Sequence, residues 1–415
     1  MKKQLLLSTL FCFLIATGFS QNWTNYNEVN SGLSNNEISS IAIDNNDIVW
    51  IAASSGCGGQ YGLNRFDGTN WITYTTSNSG LVSNAVGRII TDQSNNVWIT
   101  YYCGGLGLTK FDGTNWTTYT TANSNLPSNL INDLFVDASN NLWLTSNGIT
   151  KFTGTSFINY MPNPSVDFPL ITLLVANGFV YATGGTAGLY KYNISNNSVT
   201  HYTTTNSNIP AMNFSTLAMD QNGKLWIGSQ FGFSTVGSSG GGIVTFDGST
   251  FTGINPFSSP YSWVYYNQSI AADQSNNIWM SNRCEGLYKF DGTTWTQMGA
   301  NLPQDGCAGF VYVDQHNNIW YGDVYSGVWT NKPSLGLEES IAEPITLFPN
   351  PVNAILTIGF QDSTNVKIIN VLGKIELEKY CTPTSNGMIE LDVSFLSSGV
   401  YFINLGGKVK KFIKE

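Results

Sequence analysis

Short runs of alternating apolar and polar residues, each about four to eight residues long, follow one another along the chain, with Gly, Asn and Asp gathered between them. ISSIAID (Ile38–Asp44) is one such run, and VWIT (Val97–Thr100), GLTKFD (Gly107–Asp112) and WTTYT (Trp116–Thr120) are others. No segment sustains a helical period, so the pattern predicts an all-β chain of short strands joined by tight turns. The pattern also repeats. An Asp, an Asn-rich turn, an apolar residue and Trp recur as DNNDIVWIA, DQSNNVWIT, DASNNLWLT, DQNGKLWIG, DQSNNIWMS and DQHNNIWYG. A worn copy, ANGFVYAT, puts Tyr181 in the Trp slot. The slot residues are Trp50, Trp98, Trp143, Tyr181, Trp226, Trp279 and Trp320, roughly 45 residues apart, the period of a four-stranded propeller blade.

The two ends of the array predict how it closes. The last copy stops at SGVWTN (Ser326–Asn331) without a fourth strand, whereas the chain after the leader begins NWTNYNEVNSGLSNN, a fourth strand with no blade of its own. Trp23, Tyr26, Leu33 and Asp44 repeat the spacing of Trp71, Tyr74, Leu81 and Asp92. The expectation is a seven-bladed β-propeller over residues 21–332, closed by its N-terminal strand, which also hides open strand edges.

The repeats resemble those of the two-component regulator propeller family: GSQFG after Trp226 and GLYKFDG from Gly286 keep its pattern well. In sensor kinases such propellers precede a membrane helix and signalling domains, neither of which this text contains. The resemblance therefore implies fold rather than signalling.

Composition and charge narrow the setting. Residues 1–20 read as a signal peptide, with Lys2 and Lys3 ahead of an apolar Leu5–Thr17 and small residues before a cut near Gln21. No later stretch is long and apolar enough to span a bilayer, so the mature chain is expected to carry no transmembrane segment. Residues 21–343 hold 21 acids against nine bases, an imbalance that makes nucleic acid a poor partner. After a linker at 333–343, residues 344–415 alternate again and predict a small C-terminal β-sandwich. Their order resembles the type IX secretion C-terminal sorting domain: Phe348-Pro349-Asn350-Pro351, then Gly373, then Leu396 to Tyr401 with Gly399, then a lysine-ended strand. That resemblance implies the type IX machinery as a partner, and a protein secreted to, or held on, the outer surface of a Gram-negative bacterium.

Candidate chemistry is sparse. With the four strands of a blade lettered A to D in chain order, as in ISSIAID (A), VWIT (B), GLTKFD (C) and WTTYT (D), the A–B and C–D turns share one face, and the B–C and D–A loops share the other. The repeated Asp residues fall on the first face, about one carboxylate per motif. Turn formation explains them better than calcium, which needs several oxygens converging on one ion, and no metal or other cofactor is expected. The recurring Trp residues read as packing between blades. The second face is irregular, which is where function usually sits. Cys57, Cys103 and Cys284 lie in B–C loops and Cys307 in a D–A loop, and neighbour geometry suggests disulfides Cys57–Cys103 and Cys284–Cys307, with metal binding the alternative. Cys381 is left as a lone thiol. Trp263, Tyr265, Tyr266, Arg283, Glu285 and Arg88 are the candidate ligand-binding residues, suited to a glycan or a protein and otherwise explained by local packing and a surface ion pair. No catalytic constellation emerges, since His201 and His316 fall away from that face and Glu28, Glu37 and Glu285 are the propeller's few glutamates. A binding protein leads. A polysaccharide-active hydrolase or lyase and a structural surface component are the alternatives.

Overall fold

The computed structural model describes residues 23–415 apart from 55–60, 103–104, 163–169, 185–187, 211–212, 233–240, 255–266, 283–285, 299–301, 303–307, 324, 333–345, 360–363, 371–373, 385–387 and 406–407. The expected leader and linker therefore lie outside the described residues. Two compact units divide between Lys332 and Pro333. The fold is all-β, with no helix among the described residues.

The first unit contains seven four-stranded antiparallel sheets among the described residues. Taken in chain order, their innermost strands are Ile38–Ile43, Val86–Thr91, Leu134–Val136, Thr172–Ala176, Phe214–Met219, Asn267–Ala272 and Ala308–Val313. Each innermost strand packs on that of the next sheet, and Ala308–Val313 also packs on Ile38–Ile43. Sheet 7 borrows its outer strand from the other end of the chain. Thr24–Tyr26 pairs antiparallel with Gly327–Thr330, Tyr26 opposite Val328, and Asn25 Nδ2 donates to the Ser326 carbonyl at 2.8 Å.

The cores lie between sheets rather than within them. Trp50 packs with Leu81, Val97 and Phe111 of sheet 2, Trp98 with Leu142 and Phe152 of sheet 3, and Trp320 with Ile41, Ile51 and Phe66 of sheet 1. This explains why one slot demands Trp or Tyr: the side chain must bridge to the neighbouring sheet. The opposite strand covers the exposed flank of the indole. Lys110 and Lys151 sit 5.6 and 5.2 Å from the ring centroids of Trp98 and Trp143, their cross-strand partners. In the FDGTNW segments the Phe stacks on the Trp across the turn, with centroids 4.4 Å apart for Phe66 and Trp71 and 4.2 Å for Phe111 and Trp116.

One glycine marks each loop that enters a third strand under an outer-strand tyrosine. Gly107 has φ +85, and a Cβ there would come 2.2 Å from the Tyr119 carbonyl oxygen. Gly327 repeats the arrangement against Tyr26, with φ +84 and 2.3 Å, which puts the N-terminal strand where the other sheets put their own fourth strand.

The second unit has two sheets. Thr346–Phe348, Ile355–Gly359 and Met388–Asp392 form one, and Ile375–Cys381, Thr364–Asn370, Gly399–Leu405 and Lys408–Lys414 form the other. Their inner faces share a core that includes Leu356, Ile368, Ile403 and Phe412. Cys381 is buried there as a free thiol. Pro349, Asn350 and Pro351 cross its edge, where Asn350 Oδ1 accepts the Ile413 amide at 2.9 Å. Gly399 begins the central strand that carries Tyr401, and the Tyr401 hydroxyl donates to the Ser397 carbonyl at 3.0 Å. Gly373 lies outside the described residues.

Candidate functional site

Consecutive antiparallel strands give the first unit two faces with different chemistry. On the A–B/C–D face each repeated Asp is tied into its own turn. Asp92 accepts the Ser94 and Asn96 amides at 2.9 Å each, the Asn96 side chain at 2.7 Å and the Trp98 indole N–H at 2.9 Å. Asp137, Asp220, Asp273 and Asp314 hold Trp143, Trp226, Trp279 and Trp320 at 2.8 to 3.0 Å, and Asp44 holds Trp50 at 3.3 Å. Carboxylates already filled by donors in this way have a structural role, and no cluster suited to a metal occurs among the described residues. Asp67, Asp112, Asp247 and Asp291 do the same work in the C–D turns. The Thr250 and Ser249 amides hold the Asp247 carboxyl down to a pKa of about 2.

Neighbouring A–B turns are also linked to one another. The amides of Asn45, Gln93, Gln221 and Gln274 donate to the side chains of Asn95, Asn140, Asn276 and Asn317 in the next sheet, at 2.7 to 2.9 Å. Those asparagines sit at positive φ, which aims the amide back at the preceding turn. Between sheets 7 and 1 the link becomes ionic. Asp47 takes the His316 ring nitrogen at 2.9 Å and the Gln315 amide at 3.1 Å, with Lys332 3.9 Å away. Burial alone would raise the Asp47 pKa, but these partners outweigh it and lower it.

Among the described residues, the B–C/D–A face exposes more apolar side chains. Val29, Tyr61, Val82, Tyr102, Leu130 and Tyr325 are exposed large hydrophobics, and every one lies in a B–C or D–A connection. The unit's other exposed large hydrophobics, Ile72, Ile158 and Val199, lie on outer strands, and none among the described residues lies on the A–B/C–D face.

A channel of about 600 Å³ runs between the innermost strands of all seven sheets. Tyr102, Leu130 and Arg88 line it toward the B–C/D–A end, and half-buried Ile90, Phe135, Leu217 and Tyr312 line it further along. Arg88 donates from Nε to Asp133 Oδ1 at 2.9 Å, and its Nη2 lies 2.8 Å from the same oxygen in an ion pair. Asp133 is 4% exposed, and its Oδ2 accepts the Thr172 hydroxyl at 2.7 Å and the Leu173 amide at 3.1 Å. One carboxylate thus joins sheets 2, 3 and 4. Asp133 pushes the guanidinium pKa higher still, so Arg88 stays charged, and 48% of its side chain remains exposed.

Of the candidate ligand-binding residues the structure describes Arg88 alone. Trp263, Tyr265, Tyr266, Arg283 and Glu285 lie outside the described residues, as do Cys57, Cys103, Cys284 and Cys307, so no disulfide is shown. Asp133 and Tyr102 were not singled out by the sequence, although a signal for Asp133 is present. Four residues before the repeated Asp, other copies carry Ser40, Thr216 and Ser269, whereas two adjacent copies carry Arg88 and Asp133. Opposite charges at one slot of neighbouring repeats predict a pair.

Comparison with known proteins agrees with this organisation. Residues 32–55 and 208–231 match the two component regulator propeller, and residues 346–415 match the secretion system C-terminal sorting domain. A chain with that tail is secreted to the outer cell surface of a Gram-negative bacterium. No curated protein matches the sequence. Among solved structures, the extracellular domain of a one component system from B. thetaiotaomicron aligns with TM-score 0.62 at 17% identity over 94% of this chain and 58% of that one. The extracellular domain of a hybrid two component system from the same organism aligns at 0.56 and 19%, over 94% and 54%. This chain therefore spans little more than half the length of those relatives. A virginiamycin B lyase from Staphylococcus aureus aligns at 0.57 and 11%, over 74% and 98%. In sequence and in fold, then, the chain joins repeats of the two-component-regulator propeller type to a C-terminal sorting domain of the type IX secretion system.

Proposed function

We propose that this is an extracellular binding protein. Residues 21–332 form a seven-bladed propeller closed by its N-terminal strand, and residues 344–415 form a β-sandwich that the type IX machinery handles during export. The propeller engages a glycan or protein of the cell exterior through its B–C/D–A face. The observation that carries this reading is the segregation of exposed apolar side chains: Val29, Tyr61, Val82, Tyr102, Leu130 and Tyr325 all lie there, whereas the opposite face is spent on hydrogen-bonded turns. Exposed aromatic rings in loops held by a rigid scaffold are the usual material of recognition surfaces. A lyase reading has less support. The S. aureus virginiamycin B lyase is inactivated by replacing a histidine, whereas His201 and His316 here lie on an outer strand and in an A–B turn, outside the channel lining.

The test is binding of the mature chain to glycan arrays and to outer-surface material of the producing cell, with and without Tyr61→Ser, Tyr102→Ser and Tyr325→Ser combined. Loss of binding at an unchanged melting temperature is expected. Equal binding by the triple variant, or loss only on changing the opposite face, would remove the assignment.

A further inference from the structure

We infer that the channel mouth at Arg88 is a specific site for a carboxylate attached to an apolar group. This rests on the proposed use of the B–C/D–A face and names a chemistry for its centre. Three observations combine. First, Asp133 Oδ1 engages only the Nε/Nη2 edge of the guanidinium, so the Nη1 end has no partner among the described residues. Its direction is fixed, because Thr172 and Leu173 hold Asp133 from behind. Second, Arg88 is the single cationic side chain among the described channel-lining residues, which suits one negative charge rather than a dianion. Third, exposed hydrophobic side chains stand beside it among polar ones such as Ser39, Thr100 and Asn132. Tyr102 is 47% and Leu130 51% exposed at the same mouth, and Ile90, Phe135 and Leu217 continue the apolar lining inward.

A volume of about 600 Å³ falls within the range of small-ligand sites, roughly 300–1,000 Å³. The acidic body of the unit does not exclude a monoanion. At physiological salt, exposed charges beyond about 8 Å are largely screened, so contact with Arg88 decides. A neutral hydroxyl or carbonyl would meet the same donors with about half the strength. The carboxylate can come from a small organic acid or from the C-terminus of a chain ending in an apolar residue. The mouth chemistry is common to both.

Calorimetric titration of the full mature chain separates these possibilities. The probes are octanoate, octan-1-ol, N-acetyl-leucyl-phenylalanine and the amide of that dipeptide. At least one carboxylate should bind saturably, and its neutral counterpart about tenfold or more weakly. Octanoate alone identifies a small acid, and the dipeptide alone identifies a chain end. Arg88→Gln should weaken binding about tenfold or more. Should that variant not fold, Tyr102→Ala combined with Leu130→Ser decides, since both residues are exposed: lower affinity at an unchanged melting temperature supports the site, and unchanged affinity overturns it. Equal binding of acids and neutral analogues, or no saturable binding by either acid, also overturns it. A surface partner that binds Arg88→Gln like the parent would sink this inference while leaving the face assignment standing. Loss of that partner in the Tyr61, Tyr102 and Tyr325 variant alone would place recognition at the rim.

Discussion

Asp92→Ala should be among the most damaging single changes outside the hydrophobic cores. The substitution removes an acceptor for four donors: the Ser94 amide, the Asn96 amide, the Asn96 side chain and the Trp98 indole. The turn amides can turn to water, and losing their shared acceptor resembles losing a helix cap, about 1 kcal/mol. The indole N–H cannot. Trp98 is 3% exposed and packed between sheets 2 and 3, so its donor is left buried and unpaired, at a cost of about 2–3 kcal/mol. The sum is about 3–4 kcal/mol. For a unit of this size, at about 2 °C per kcal/mol, the melting midpoint should fall about 6–8 °C in a calorimetric scan. Asp112→Ala, in an exposed turn, should move it much less. A double-mutant cycle with Trp98→Phe isolates the indole bond, and the coupling should be about 1.5 kcal/mol or more. If Asp92→Ala costs no more than Asp112→Ala, or if the cycle is additive, the carboxylate is not a clasp and its repetition needs another cause.

Four other outcomes are expected. Gly107→Ala should destabilise by about 2–4 kcal/mol, since φ +85 and the Tyr119 carbonyl at 2.2 Å act together; Gly113→Ala, with φ +94 but open space around it, should cost less in the same denaturation assay. Deleting residues 21–27 should uncover the edge of Gly327–Thr330 and produce aggregation in light scattering, whereas retained monodispersity would refute closure by the N-terminal strand. Carbon-detected titration of the Asp247 carboxyl should give a midpoint near the folded value of about 2 instead of the ordinary 3.8. A depressed carboxyl stabilises fully above its unfolded value, so its contribution should fade as pH falls from about 4 through 2, and a midpoint near 4 would contradict the turn geometry. Asp47→Ala removes the acceptor shared by His316 and Gln315 at one exposed joint, and amide exchange should quicken around residues 44–48 and 314–318 with little change in global stability, about 1 kcal/mol or less.

The strand count was legible in the chain because each sheet must solve the same turn with the same residues. Asp, an αL asparagine and Trp at one spacing are local requirements, and a period of roughly 45 residues repeats them visibly. Turn-to-turn links such as Gln93 to Asn140 were not legible, because most copies carry Gln or Asn at these slots and the text does not say which of them meet. The Arg88–Asp133 pair was half legible: the charges stand at matching positions of adjacent copies, but burial of one and exposure of the other depend on how strands pack around the channel. The apolar rim was hidden for a different reason. Val29, Tyr61 and Leu130 look like ordinary hydrophobic residues in a text that is 42% hydrophobic, and only the packing reveals that they are exposed.

The strand lent to sheet 7 has a consequence for the order of assembly. Asn25 and Ser326 meet across 301 residues of chain, whereas the other sheets draw their strands from about 45. By loop-closure entropy alone, the longer closure costs about 1.7 kcal/mol more, too little to endanger the finished molecule. Its effect is on timing. Six sheets can form as the polypeptide emerges, but the seventh waits for both ends, and until then the sheet keeps an open edge. With the expected leader cut near Gln21, the pairing strand begins only a few residues past the scissile bond. Were the leader cut there, its removal would come before the final clasp, and a chain with an uncut leader would carry extra residues beside its latch strand.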